Sequence, residues 1–143
     1  MAIVTRHEPA QAARSTDSVG RNNSTTVADD LDLSIPVQAD TVYKLRIHTR
    51  WTNAGLGDFK WGLNGPAGTL AFNETLGASG QDISGGTALD DSGADNGYEE
   101  TSWMIVTGNT SGNLTFQWAQ RVSDAGLTIL KRGSHITLEK VVD

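Results

Sequence analysis

Residues 112–142 read Gly-Asn-Leu-Thr-Phe-Gln-Trp-Ala-Gln-Arg-Val-Ser-Asp-Ala-Gly-Leu-Thr-Ile-Leu-Lys-Arg-Gly-Ser-His-Ile-Thr-Leu-Glu-Lys-Val-Val. Leu114, Phe116 and Trp118 alternate with Thr115, Gln117 and Ala119, a period of two that gathers the large apolar groups on one face of a strand. Ser123-Asp124 and Gly126 supply turn chemistry, Leu127 to Leu130 forms a second short run, and Lys131-Arg132-Gly133 turns the chain again. Ile136 and Leu138 then alternate with Thr137 and Glu139. Three strands in about thirty residues leave no room for a crossover helix, so the stretch predicts a mostly antiparallel meander.

The same period extends outward. In residues 41–51, Tyr43, Leu45, Ile47, Thr49 and Trp51 share one face, and Lys44, Arg46, His48 and Arg50 share the other. One apolar and one cationic face describes a half-exposed antiparallel strand, whose cations either meet water or dock on an acidic surface. Leu31, Leu33, Ile35 and Val37 alternate with Asp32, Ser34 and Pro36. The proline cannot donate to a ladder, which marks an edge strand. Phe59, Trp61 and Leu63 mark another strand, Asn64-Gly65-Pro66-Ala67-Gly68 is a dense turn, and Leu70 and Phe72 follow in a further strand. Residues 76–98 hold six glycines and four aspartates, with Ile83 and Leu89 as the large apolar exceptions between the bounding Leu76 and Tyr98, and read as a long acidic loop. Strand character resumes with Trp103 and Ile105. About eight or nine strands at roughly ten-residue spacing, with no helical period, predict an all-β fold: an antiparallel, jelly-roll-like β-sandwich. Trp51, Trp61, Trp103 and Trp118 all fall on inward faces.

Residues 25–143 form this sandwich domain, with 76–98 as its acidic, glycine-rich loop. Residues 1–24 are polar and aperiodic and read as an extended N-terminal arm. Residues 10–14 are too short to hold a helix alone, so the arm is a loose tail or orders against a neighbouring subunit or another protein. A chain of 143 residues suffices for one domain with a core of its own, and without cysteines neither a disulfide nor a thiolate metal site is available. The formal net charge of −6 argues against nucleic acid as a partner, because phosphate binding needs a concentrated positive field. No run approaches the length of a membrane-spanning helix, and the start at Met1 shows no apolar signal region, so a cytoplasmically made product with no membrane partner is expected.

No nucleophile elbow, zinc-protease helix or phosphate loop is present; Gly55-Leu56-Gly57 reads as a turn. His7, His48 and His135 are far apart in the chain. The one calcium-like element is the acidic run with Asp91, Asp95 and Glu99, but Gly93 and Asn96 stand where an EF-hand loop wants an oxygen ligand and a glycine. Nothing singles out a catalytic carboxylate pair from 17 acids. The expectation is a non-enzymatic protein without a cofactor.

The sequence Arg21-Asn22-Asn23-Ser24-Thr25-Thr26-Val27-Ala28-Asp29-Asp30, with the strand after it, resembles the opening of small β-rich virion proteins of tailed bacteriophages. Gly65-Pro66-Ala67-Gly68 is similar to their mid-chain turn. Leu114-Thr115-Phe116-Gln117-Trp118-Ala119-Gln120, Ser123-Asp124-Ala125 and Arg132-Gly133-Ser134 are similar to their closing signature. The resemblance implies a capsid decoration (cement) protein on the capsid exterior. Its partner would be the major capsid protein and its state a homotrimer. Arg6, His7, Arg14, Arg21, Lys44, Arg46 and Arg50 are the expected interface residues. A receptor- or carbohydrate-binding module of a tail is the alternative, and it requires an exposed Trp51 or Trp61.

Overall fold

Period-two alternation without a helical stretch satisfies the backbone only in sheets. The computed structural model describes residues 8–74 and 79–142, and among them the regular elements are all strands. In chain order these are β1 (Ala10–Ala13), β2 (Ala28–Val37), β3 (Val42–Asn53), β4 (Phe59–Asn64), β5 (Leu70–Asn73), β6 (Gln81–Asp82), β7 (Thr87–Ser92), β8 (Asn96–Val106), β9 (Gly112–Ala119), β10 (Thr128–Leu130) and β11 (His135–Val142). Sheet A runs β1-β11-β3-β8-β5-β6, with β10 also on β3, and sheet B runs β2-β9-β4-β7. The chain changes sheet at each step from β1 to β5 and again from β6 to β10. That weave makes an antiparallel jelly-roll-like sandwich, as the periodicity led us to expect.

The inward faces lock the two sheets together through aromatic rings. Trp51 of sheet A stacks on Phe59 of sheet B at 4.5 Å between centroids, and Trp61 of sheet B meets Trp103 of sheet A edge-on at 5.7 Å. The four tryptophans are 3%, 1%, 5% and 0% exposed in chain order, so all are core residues. With Trp51 and Trp61 inside, neither offers the exposed ring that the carbohydrate-binding alternative asks of them. Strand β2, with Pro36, is an edge strand of sheet B. Asp40 closes the β2–β3 turn at φ 51°, a left-handed conformation that aspartate tolerates.

Three expectations are corrected. First, residues 112–142 are not a meander. Strand β9 lies in sheet B, and β10 and β11 follow one another along the same edge of β3, pairing from Thr128↔Asn53 to Leu130↔Trp51 and then from His135↔His48 to Val142↔Val42. Lys131-Arg132-Gly133 makes a kink within one interrupted strand and does not reverse the chain.

Second, the acidic stretch is not one loop. It carries β6, β7 and the start of β8, and Ile83 is fully buried. Strands β6 and β7 are the outermost of their sheets, where polar side chains on both faces erase the alternation. Residues 75–78 lie outside the described residues.

Third, the arm is no separate tail from Ala10 onward. Strand β1 pairs with β11, and backbone bonds Arg14 N to Ser134 O, Ser18 N to Leu130 O and Arg21 N to Thr128 O fasten the following residues to the body. The segment orders on its own sandwich, and its periodicity stays silent because it is an edge addition held by backbone bonds.

Candidate functional site: the outer face of sheet A

The residues expected at an interface part into two groups. Arg6 and His7 lie outside the described residues. Arg14 is buried: its Nη1 donates to both oxygens of Asp30 at 2.6 and 2.7 Å. Asp30 also accepts Trp118 Nε1–H at 3.1 Å and the Asp32 backbone N–H at 3.1 Å. Arg21 lies over the Trp118 ring, Cζ 4.0 Å from its centroid, and donates to the carbonyls of Trp118, Ala28 and Asp29. Burial draws the Arg21 guanidinium below its ordinary pKa, and the nearby Asp30 charge acts against that. Both arginines bind the arm to the sandwich, with their guanidiniums engaged inside the molecule. Between them the segment leaves Val19 and the adjacent Leu31 90% and 82% exposed.

Lys44, Arg46 and Arg50 do point outward, as the alternation in residues 41–51 requires. The cross-strand register orders the whole face into rows. Leu70, Val106 and Val42 form the first row, and Phe72, Met104, Lys44 and Glu139 the second. Ser102, Arg46 and Thr137 follow, then Glu100, His48 and His135, and at the far end Tyr98 beside Arg50. One end of the sheet is thus apolar and the other basic. Lys44 approaches Glu74 at 3.8 Å, whereas Arg46, Arg50 and Arg132 have no ion pair among the described residues.

At the basic end, His48, Thr49, Arg50, Tyr98, Arg132, Gly133, Ser134 and His135 enclose a depression of about 180 Å³. The His48 and His135 rings stack at 4.4 Å with 11° between planes. His48 Nδ1 lies 3.1 Å from the Tyr98 hydroxyl, which donates to Glu100 Oε2 at 3.3 Å. Desolvation first, then the Glu100 charge and this hydrogen bond, raise the Tyr98 phenol above its ordinary pKa, so it stays a donor. Sequence reasoning placed His48 on an outward face but missed its contact with His135 and the place of Arg132 at the same depression, because two strands more than 80 residues apart meet here only through the β3–β11 register.

The calcium reading fails on strand parity. Asp91 sits opposite Lys60 on the outer side of β7 and pairs with Arg121 at 3.4 Å, whereas Glu99 turns inward and accepts Trp61 Nε1–H at 3.0 Å. Asp95 is exposed in the turn between β7 and β8, and no group of three metal-ligating side chains forms among the described residues. Glu99 faces Asp90 instead. Burial, then the Asp90 charge, raise the Glu99 carboxyl to about 7, against the hydrogen bond from Trp61. The arrangement sets a carboxyl of β8 in sheet A near one of β7 in sheet B.

Neither a protein-family profile nor a curated protein sequence matches this chain. Among solved structures, it is similar to a chain in the structure of infectious bursal disease virus, Gt strain, at 10% identity over 93% of this chain and 33% of that one, with a TM-score of 0.51. It is also similar to Eiger TNF from S. frugiperda, at 10% identity over 97% of this chain and 95% of that one, with a TM-score of 0.48. The chain spans about a third of the viral chain it matches. At that identity the likeness to the viral chain concerns the fold, a two-sheet jelly-roll sandwich.

Proposed function

We propose that this chain is a virion structural protein that adheres to the outside of a tailed-phage capsid as a decoration (cement) protein, with the major capsid protein as its partner and a homotrimer as its working state. The observation that carries the reading is the outer face of sheet A. There an apolar strip (Val42, Leu70, Phe72, Met104 and Val106) adjoins uncompensated Arg46 and Arg50 in a molecule of net charge −6. Cations without ion pairs among the described residues, next to partly exposed apolar side chains, suit a partner surface that is acidic with an apolar centre. The viral jelly-roll likeness and the resemblance in the closing stretch support the same reading. The exposed Val19 and Leu31 give the arm a second point of contact.

The mechanism is adhesion. A clamp that spans neighbouring capsid subunits adds its binding free energy to the cost of parting them, and many copies make weak contacts count through effective concentration. The test is co-sedimentation with particles stripped of this protein. Wild type should saturate its sites and raise the temperature at which the shell opens, with occupancy falling as salt rises. Charge reversal by Arg46→Glu together with Arg50→Glu should empty the sites while the isolated protein melts as before. Full occupancy by that variant, or localisation of the wild type to the tail by electron microscopy, would refute the proposal.

A further inference from the structure

We infer that the depression between β3, β8 and the kink before β11 receives a carboxylate side chain from the surface to which this protein adheres, and holds it most tightly when His48 and His135 are protonated. The inference rests on the adhesive reading above for the source of the carboxylate.

Arg50 and Arg132 line the same 180 Å³ depression and lack ion pairs among the described residues. Their backbones are fixed. Arg50 N donates to Ser134 Oγ at 3.1 Å, Lys131 N donates to Arg50 O at 2.8 Å, and Arg132 N donates to Asp17 Oδ1 at 2.8 Å. The cations are thus presented on a rigid kink and strand, with little ordering left for binding to impose. Planar guanidinium forks match the planar carboxylate.

The imidazoles add a proton requirement. His135 Nδ1 lies 2.9 Å from the Gly133 carbonyl, which only accepts, so Nδ1 carries the hydrogen and Nε2 is a lone pair in the neutral ring. The Tyr98 hydroxyl spends its hydrogen on Glu100, so His48 Nδ1 is likewise the donor toward Tyr98 and its Nε2 is the site left to protonate, 3.8 Å from Glu100 Oε1. Two stacked imidazolium rings repel, and Glu100 offsets one of them. The other charged groups around the pair are Arg46 and Arg50 on β3, Lys131 and Arg132 on the kink, and Asp17 of the arm, which is already bonded to Lys131 at 2.7 Å. An outside carboxylate supplies the missing anion, so proton uptake and carboxylate binding strengthen one another.

The experiment titrates the full chain with the peptide Ac-Glu-Asp-Glu-NH2 at low salt, followed by the histidine ring NMR signals near pH 5.5 and pH 8, with inorganic phosphate as a parallel probe. The peptide should shift both His48 and His135 and bind at least about fivefold more tightly at the lower pH. Arg50→Gln and Arg132→Gln should each weaken it about tenfold, with unchanged melting, because only their backbone atoms serve the fold. His135→Gln should keep the pH 8 affinity and lose most of the gain at pH 5.5. Unchanged peptide affinity in the Arg50→Gln/Arg132→Gln double variant, no pH dependence in the wild type, or tighter binding of phosphate than of peptide would each overturn the assignment. On particles, full decoration by the double variant overturns the role of the depression and leaves adhesion standing. Wild type that binds the peptide but no particle supports the depression and overturns adhesion.

Discussion

Arg14→Ala removes the cation from a buried pair and leaves Asp30 charged inside the fold. The two side chains are 9% and 3% exposed, and the pair holds two charge-assisted hydrogen bonds at 2.6 and 2.7 Å. Removing one partner of such a pair costs about 3–5 kcal/mol, because the charge left behind stays desolvated. Asp30 would keep the N–H groups of Trp118 and Asp32, and the Arg21 charge remains within reach, which sets the expected loss at the lower end, about 3 kcal/mol. For a chain of this length that lowers the melting temperature by roughly 10 °C. Urea unfolding should show the midpoint fall at unchanged slope, and limited proteolysis should open the arm first. The double variant Arg14→Ala/Asp30→Asn removes the stranded charge while an amide oxygen still accepts from Trp118, so it should recover at least half of the loss. A single-variant loss below about 1 kcal/mol, or a double variant no better than the single, would refute the claim that this pair anchors the arm. Full stability of Arg14→Ala combined with lost particle binding would return Arg14 to the interface role the sequence suggested.

Glu99 titrates near 7 in the fold against an ordinary 4.5, so the folded state holds more protons than the unfolded chain between those values and stability falls as pH rises through that window. Glu99→Gln should flatten that slope in thermal melts from pH 4.5 to 8.5 and gain about 1 kcal/mol at pH 8, the figure being discounted for a half-exposed group; an unaltered slope would remove Glu99 as its source. Gly97 faces Trp51 across the β3–β8 pair, and a Cβ there would collide with the indole Cζ2. Gly97→Ala should therefore cost about 1–3 kcal/mol by urea unfolding and alter tryptophan fluorescence, whereas a neutral outcome would mean the ring moves freely.

Much of the fold was legible because alternation is a local property. A period of two states which side chains share a face, and it sorted Tyr43, Leu45, Ile47, Thr49 and Trp51 inward and Lys44, Arg46, His48 and Arg50 outward as the structure has them. Pro36 likewise placed β2 at an edge, since a missing N–H is a fact about one residue. Where alternation is weak, the reading failed. Edge strands β6 and β7 carry polar groups on both sides and read as loop, and β1 is held by backbone bonds that no side-chain pattern reports.

The amino-acid sequence by itself determined an all-strand chain, an inward set of four tryptophans and a cationic face in an acidic molecule. Only the tertiary structure decided which strands meet, and with that the pairing of Arg14 with Asp30, of Glu99 with Asp90, and of His48 with His135 beside Arg50 and Arg132. The physical reason is that the side a residue faces follows from the geometry of its own strand, whereas the neighbour it meets depends on a register set by the packing of the whole sandwich.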